Sequence, residues 1–167
     1  MLGIETIDNL LVGPPFGGHV RKVWEGSATM NPTILIVEDD PSIRNIFKTY
    51  LAGEGYEVVT AESYGSALNI ISSISLDTII SDVRLVESSG LDILGTVTDR
   101  KMICPVIMVT GYPDYELAAE AFRAGAFDYL VKPINCSALL RSVRNALRHK
   151  HEQKRCPGDR GDRANSS

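Results

Sequence analysis

Five residues carry the chemistry this chain could do: Glu38, Asp39, Asp82, Thr110 and Lys132. Each directly follows a short apolar run, in the order ILIV, TIIS, VIMV and DYLV, with the acidic pair sharing the first. Three carboxylates brought together repel one another and suit a hard divalent cation with oxygen ligands. A hydroxyl and an ammonium beside them suit the oxygens of a phosphoryl group. This is equipment for placing phosphate on a carboxylate, provided that the fold gathers residues almost a hundred positions apart.

The elements that must gather them are legible as an alternation of strands and helices. Strands are predicted over Thr33–Val37, Glu57–Ala61, Asp77–Ser81, Pro105–Val109 and Phe127–Val131. Their near-continuous apolar character predicts parallel strands covered on both faces. The first helix is predicted to start with Asp40 as N-cap and Pro41 as first helical residue, the favoured order. Its apolar residues Ile43, Ile46, Phe47, Tyr50 and Leu51 recur at helical spacing, and Gly53 and Gly55 stop it. The second helix starts near Ser63 and the third near Leu91. The third is poor in helix formers, with Gly95, Thr96, Val97 and Thr98 in its body. The fourth spans about Pro113 to Ala124, with Gly125 as a left-handed stop, and the fifth spans Cys136 to His149. Five such units predict an α/β, doubly wound parallel sheet in the order 2-1-3-4-5. Ligands bind outside the carboxyl ends of such strands, near strands 1 and 3 where the winding reverses.

The flanks read differently. Residues 1–32 contain Gly13-Pro14-Pro15-Phe16-Gly17-Gly18 and form an N-terminal extension, expected to be flexible. Met30 lies just ahead of the first strand and is a candidate true start, which an intact mass would decide. Residues 33–150 form the folded domain. Residues 151–167 are polar and Gly-containing and are expected to be a disordered tail. The chain of 167 residues carries a net charge of −4, distributed as −1 over residues 1–30, −6 over 31–146 and +3 over 147–167. An acidic core argues against direct DNA binding by the domain, and no helix pair suited to a DNA groove is present. Cys104, Cys136 and Cys156 form no paired or metal-binding spacing, which fits a reducing cytoplasm. No apolar stretch suits a bilayer, and no signal peptide is apparent. Arg160-Gly161-Asp162 and Asn165-Ser166-Ser167 spell extracellular motifs that the rest of the chain gives no reason to use.

The blocks ILIVEDDPSIR, DTIISDVRL, PVIMVTGY and AGAFDYLVKP closely resemble the receiver domain of bacterial two-component response regulators, a flavodoxin-like fold. The resemblance covers about residues 33–150. It implies that Asp82 is the phosphoacceptor, taking a phosphoryl group from a histidine kinase. It implies Mg²⁺ held by Asp39, Asp82, the main-chain carbonyl of Arg84 and, through water, Glu38. Thr110 and Lys132 would bind the phosphoryl oxygens, Lys132 aimed inward by a cis bond to Pro133, and Thr110 with Tyr129 would form the switch. Partners implied are a histidine kinase or histidine phosphotransfer protein and a downstream protein bound by the face of helix 4, strand 5 and helix 5. A phosphorylation-dependent homodimer is also implied. The family's activity is self-phosphorylation from a phosphodonor and slow autodephosphorylation, not enzymatic turnover. The last block resembles receivers attached to nitrogen-regulator-type transcription factors.

Three positions depart from the family pattern: Val86 replaces a usual proline, Glu87-Ser88-Ser89-Gly90 lacks the typical acidic-Gly pair, and helix 3 is weak. Three readings compete. A phosphorylation-independent pseudo-receiver would have less reason to keep all five site residues. An Asp- and Mg²⁺-dependent phosphatase would need an acid two residues after its nucleophile, where Arg84 stands. A nucleotide-binding role lacks a Gly-rich phosphate loop after strand 1. Arg84 and Tyr112 flank the acceptor and are expected to slow attack by water on a phosphorylated Asp82.

Overall fold

The computed structural model describes residues 31–155. Five parallel strands, β1 (Thr33–Val37), β2 (Glu57–Ala61), β3 (Thr78–Asp82), β6 (Val106–Thr110) and β7 (Asp128–Val131), form one sheet in the order β2-β1-β3-β6-β7. Two-residue strands β4 (Arg84–Leu85) and β5 (Ser88–Ser89) make a small antiparallel ribbon beyond β3. With that ribbon set aside, the order is the predicted 2-1-3-4-5. Because side chains alternate along a strand, each strand feeds two cores. Leu35, Val37, Ile79 and Met108 pack under α2 (Tyr64–Ser73), α3 (Gly90–Asp99) and α4 (Tyr115–Arg123). Ile34, Ile36, Ile80, Ile107 and Val109 pack under α1 (Pro41–Gly53) and α5 (Cys136–Arg155). Burial on both faces is the reason the strands read as unbroken apolar runs.

The helix ends follow their local chemistry. Asp40 accepts from the backbone N–H groups of Ser42 at 2.7 Å and Ile43 at 3.1 Å, and Pro41 opens α1. Gly125 has the predicted left-handed conformation after α4, with φ of 101°, and Gly55 after α1 adopts it too, with φ of 93°. The helix predicted to be weak is fully formed. Ser89 and Asp92 make a reciprocal capping box, and Ile93, Leu94 and Val97 are buried. Tertiary burial and a cap outweigh the low propensity of its body. The loop with Val86 folds as the β4–β5 ribbon, leaving Val86 exposed.

β3 and β6 each lie one residue later than predicted, ending on Asp82 and Thr110, and α4 is shorter at both ends; the larger correction is at the last helix. The last helix was expected to end at His149 and a disordered tail to start at residue 151, yet α5 continues to Arg155. The reason lies in Lys150, which the sequence reading left outside the helix. Its ammonium is buried at the amino end of the sheet, donating to the Leu76 carbonyl and to Asp77 Oδ1 at 2.9 Å. Asp77 Oδ2 also accepts from the Thr33 backbone N–H at 2.9 Å. Tethered there, α5 has the fifteenth of its 20 residues anchored, and its last turn propagates from a formed helix. The Met30 start, the remaining extension and tail, Cys156 and the two extracellular motifs lie outside the described residues.

Gly90 has no room for a side chain. A Cβ there would lie 2.2 Å from the Asp82 carbonyl oxygen and 2.7 Å from Met108 Cε. The helix therefore approaches the end of β3 through a glycine, and that contact fixes the strand end that carries Asp82. Gly90→Ala is expected to lower stability by about 1–3 kcal/mol, the usual cost of forcing atoms into a packed site. A urea unfolding midpoint equal to that of the unsubstituted protein would show that the backbone there yields freely.

Candidate functional site

Parallel pairing delivers the candidate residues to one rim. Val37 is in register with Ser81, Asp82 with Val109, and Thr110 with Val131. Glu38 and Asp39 follow β1, Asp82 ends β3, Thr110 ends β6 and Lys132 follows β7. Oxygens of Glu38, Asp39 and Asp82 lie within 4.8 Å of one another. Glu38 and Asp82 are buried, at 2% and 8% exposure, so their charges cannot rely on water for screening.

What compensates the charge is specific. The Lys132 ammonium lies 2.7 Å from Glu38 Oε2 and 2.7 Å from Asp82 Oδ2, bridging the two buried carboxylates. The backbone N–H of Arg84 donates to Asp82 Oδ1 at 2.9 Å. The N–H of Asp40 faces Asp39 Oδ1 at 3.1 Å and Glu38 Oε1 at 3.3 Å. One ammonium cannot neutralise two buried carboxylates and a third beside them. Burial, against the pull of Lys132 and reinforced by Asp82, pushes the Glu38 carboxyl up to about 7 from 4.5. For Lys132, burial works against the charge, but bonds to Asp82 and Glu38 outweigh it and hold the amine above its ordinary value. The donor set fits a divalent cation: hard oxygens only, gathered on one side, carrying more negative charge than the lysine balances.

Lys132 is therefore where the sequence predicted it, and the Lys132–Pro133 bond is cis. Thr110 is buried at the rim but turned to its own loop. Its hydroxyl donates to the Tyr112 carbonyl and accepts from the Tyr112 N–H, both at 3.1 Å. Tyr129 has its ring 6.4 Å from that of Phe122, and its hydroxyl is buried with no hydrogen-bond partner. The guanidinium of Arg84 stacks over the Tyr112 ring at 4.7 Å, so the two flanking residues form a single unit. Asp40 remains outside the cluster as helix cap, as its position before Pro41 implied.

One participant was missed. Arg44 donates from Nη1 to the carbonyl of Glu38 at 2.6 Å and to that of Asp39 at 3.2 Å. Its Nη2 lies 4.0 Å from Glu62 at the end of β2. A helical position four residues after the Asp40 cap is the signal that could have found it, since the first turn faces back over the preceding loop.

Comparison with known proteins agrees with this geometry. The sequence pattern described as Response regulator receiver domain matches residues 34–144. Regulatory protein AtoC of Escherichia coli K12 is 34% identical over 128 residues, covering 71% of this chain and 28% of AtoC. The chain thus spans roughly a quarter of the length of such curated relatives. A response regulator receiver domain protein from Clostridium thermocellum superposes with a TM-score of 0.69 at 33% identity, over 73% of this chain and 98% of that one. Response regulator TrrA of Thermotoga maritima, solved in complex with Mg²⁺ and BeF, has a TM-score of 0.64 at 34% identity, over 70% of this chain and 99% of its own.

The raised Glu38 carboxyl sets a pH dependence. Between 4.5 and about 7 the folded protein holds a proton that the unfolded chain releases, so this group's contribution to stability falls as pH rises through that window. A cation entering the cluster must displace that proton. Mg²⁺ is expected to bind about tenfold more tightly at pH 8 than at pH 6, with the difference largely removed in Glu38→Gln. Calorimetric titration at the two pH values measures it, and equal affinities would place the proton elsewhere.

Proposed function

The chain belongs to the response regulator receiver domain family, the phosphoacceptor modules of two-component signalling, and on that premise we propose that Asp82 is its phosphoacceptor. The observation that carries this assignment is the convergence of Glu38, Asp39 and Asp82 around one point with Lys132 at 2.7 Å from the Asp82 carboxylate. An Asp82 oxygen attacks the phosphorus of a histidine kinase's phosphohistidine. The phosphorus–nitrogen bond breaks, its electrons return to the imidazole, and a phosphorus–oxygen bond forms on Asp82. Lys132 moves from the bare carboxylates to the phosphoryl oxygens as a point charge. Asp39, Asp82, the Arg84 carbonyl and, through water, Glu38 would hold Mg²⁺, which when bound screens the repulsion between nucleophile and phosphoryl group. The Mg²⁺ and BeF complex of TrrA supports that assignment by likeness.

Thr110 has a hydrogen bond to exchange. Its bond to the Tyr112 carbonyl is neutral, and a bond to a phosphoryl oxygen is charge-assisted and about twice as strong. Turning Thr110 inward frees space beside Tyr129, whose hydroxyl gains from leaving a buried site without a partner. Exposed Tyr115, Phe122 and Val131 on α4 and β7 suit the face of α4, β7 and α5 to a downstream partner or a second copy of the chain. A histidine phosphotransfer protein is a second donor or acceptor. We read the module as a signalling acceptor with only self-phosphorylation and slow autodephosphorylation, working in the cytoplasm; among the described residues no helix is long and apolar enough to cross a membrane. The competing phosphatase reading lacks its acid, since the position two residues after Asp82 is Arg84.

Incubation with acetyl phosphate and Mg²⁺ is expected to add one phosphoryl group by intact mass, and none to Asp82→Asn. Equal labelling of both proteins would remove Asp82 from its role. The Arg84–Tyr112 stack is expected to shield the acyl phosphate from water. Such a stack contributes about 0.5–1 kcal/mol at exposed sites, so the Arg84→Asn, Tyr112→Ala double variant should dephosphorylate about two- to fivefold faster. An unchanged decay rate would show that water reaches Asp82 by another route.

A further inference from the structure

The turn between β1 and α1 presents its peptide groups in opposite directions. The N–H of Asp40 faces the carboxylates of Glu38 and Asp39, at 3.3 and 3.1 Å. The carbonyl of Asp39 belongs to the same peptide plane. In a trans peptide it must point the other way, and there it accepts from Arg44 Nη1 at 3.2 Å. The same nitrogen takes the Glu38 carbonyl at 2.6 Å. The guanidinium thus grips the outer side of the turn whose inner side carries the acidic pair.

We propose that Arg44 is a positioning residue for the cation site: by holding the carbonyls of Glu38 and Asp39 outward, it keeps the Asp40 N–H inward and the two carboxylates aimed at Asp82. The inference deepens the Mg²⁺ assignment and rests on it in part. If that peptide plane turned over, the Asp39 carbonyl oxygen would enter a cluster that already has an excess of negative charge, and the Asp40 N–H would leave it. Arg44 is well suited to this task. Its planar fork serves two acceptors at once, and its side chain is 20% exposed, with Glu62 at 4.0 Å from the far nitrogen.

Two roles for this residue predict opposite signs. A guanidinium acting only as nearby positive charge opposes cation binding, so its removal would tighten Mg²⁺. A guanidinium that shapes the site favours binding, so its removal weakens Mg²⁺. Residues that orient metal ligands from behind typically change affinity about 10- to 100-fold when lost. Calorimetric Mg²⁺ titration of the full chain and of Arg44→Gln is therefore expected to show affinity about tenfold weaker in the variant. Arg44→Lys keeps the charge but offers no planar fork, and it should fall between the two. Amide hydrogen exchange provides a second reading without any metal: the Asp40 N–H should exchange faster in Arg44→Gln, while amides in the centre of β1 and β3 keep their protection and so report an intact fold. Should Arg44→Gln fail to fold, Arg44→Lys carries both measurements. Mg²⁺ binding as tight as or tighter than that of the unsubstituted protein, with an unchanged Asp40 amide, would overturn the proposal. An unsubstituted protein that takes up no Mg²⁺ would count against the cation assignment instead, and the Asp40 exchange rate would still judge Arg44.

Discussion

The interaction on which the structure turns is repulsion among three carboxylates at the carboxyl edge of a parallel sheet. Glu38, Asp39 and Asp82 place oxygens within 4.8 Å of one another, two of the three in buried positions. Two unit charges 4 Å apart interact by about 4 kcal/mol where the effective dielectric constant is near 20. No folded protein carries that cost without a return. The partial remedies are one ammonium and two backbone N–H groups turned inward, and burial with the Asp82 charge pushes the Glu38 carboxyl up to about 7. Together they leave the rim short of positive charge, and this shortage is what would make it responsive to a cation and to a phosphoryl group.

The remainder of the fold serves to make the shortage rigid. A sheet covered on both faces fixes the register that brings Val37, Ser81 and Met108 level, and the acidic groups follow at the ends. Gly90 lets α3 press against the Asp82 carbonyl, and Lys132 is positioned by its N–H bond to the Thr110 carbonyl at 2.7 Å. The mobile component in the proposed switch is lightly held by contrast. The Thr110 hydroxyl engages only Tyr112 of its own loop, and the Tyr129 hydroxyl has no partner. A rigid charge trap next to weakly committed side chains is the arrangement in which a local change in charge can select between two packings.

Much of this was legible before any coordinates. Apolar runs ending in Glu38, Asp82, Thr110 and Lys132 announce both the strands and the rim, because a buried parallel strand cannot tolerate those residues anywhere but its end. Asp40-Pro41 gives the start of α1 to the residue, since capping is a local matter of hydrogen-bond geometry. What was hidden depends on tertiary partners. The third helix looked weak because Gly95 and Thr96 are visible in sequence, whereas the burial of Ile93 and Leu94 is not. The length of α5 was underestimated because Lys150 reads as solvent-facing until Asp77 and the Leu76 carbonyl are seen beside it. Arg44 escaped notice because its acceptors are main-chain carbonyls, which have no signature in side-chain chemistry.

Lys150 also shows why the opposite edge of the sheet is not a second site. There too a buried lysine meets a carboxylate at close range, with Asp77 at 2.9 Å. At that edge the ratio is one to one, and Asp77 has a further backbone donor in Thr33. Burial raises its carboxyl, but the Thr33 N–H and Lys150 outweigh that effect and hold it below the usual carboxylate value. Glu38 experiences the same three influences with the opposite result, because its lysine is shared with Asp82 and a second carboxylate adds to the repulsion. Two partly buried ion pairs of like composition thus differ in stoichiometry: the balanced one serves as a fastener for α5, and the unbalanced one retains affinity for positive charge. It is the imbalance, rather than the presence of acidic and basic groups in a buried place, that marks the carboxyl edge as the working end of this sheet.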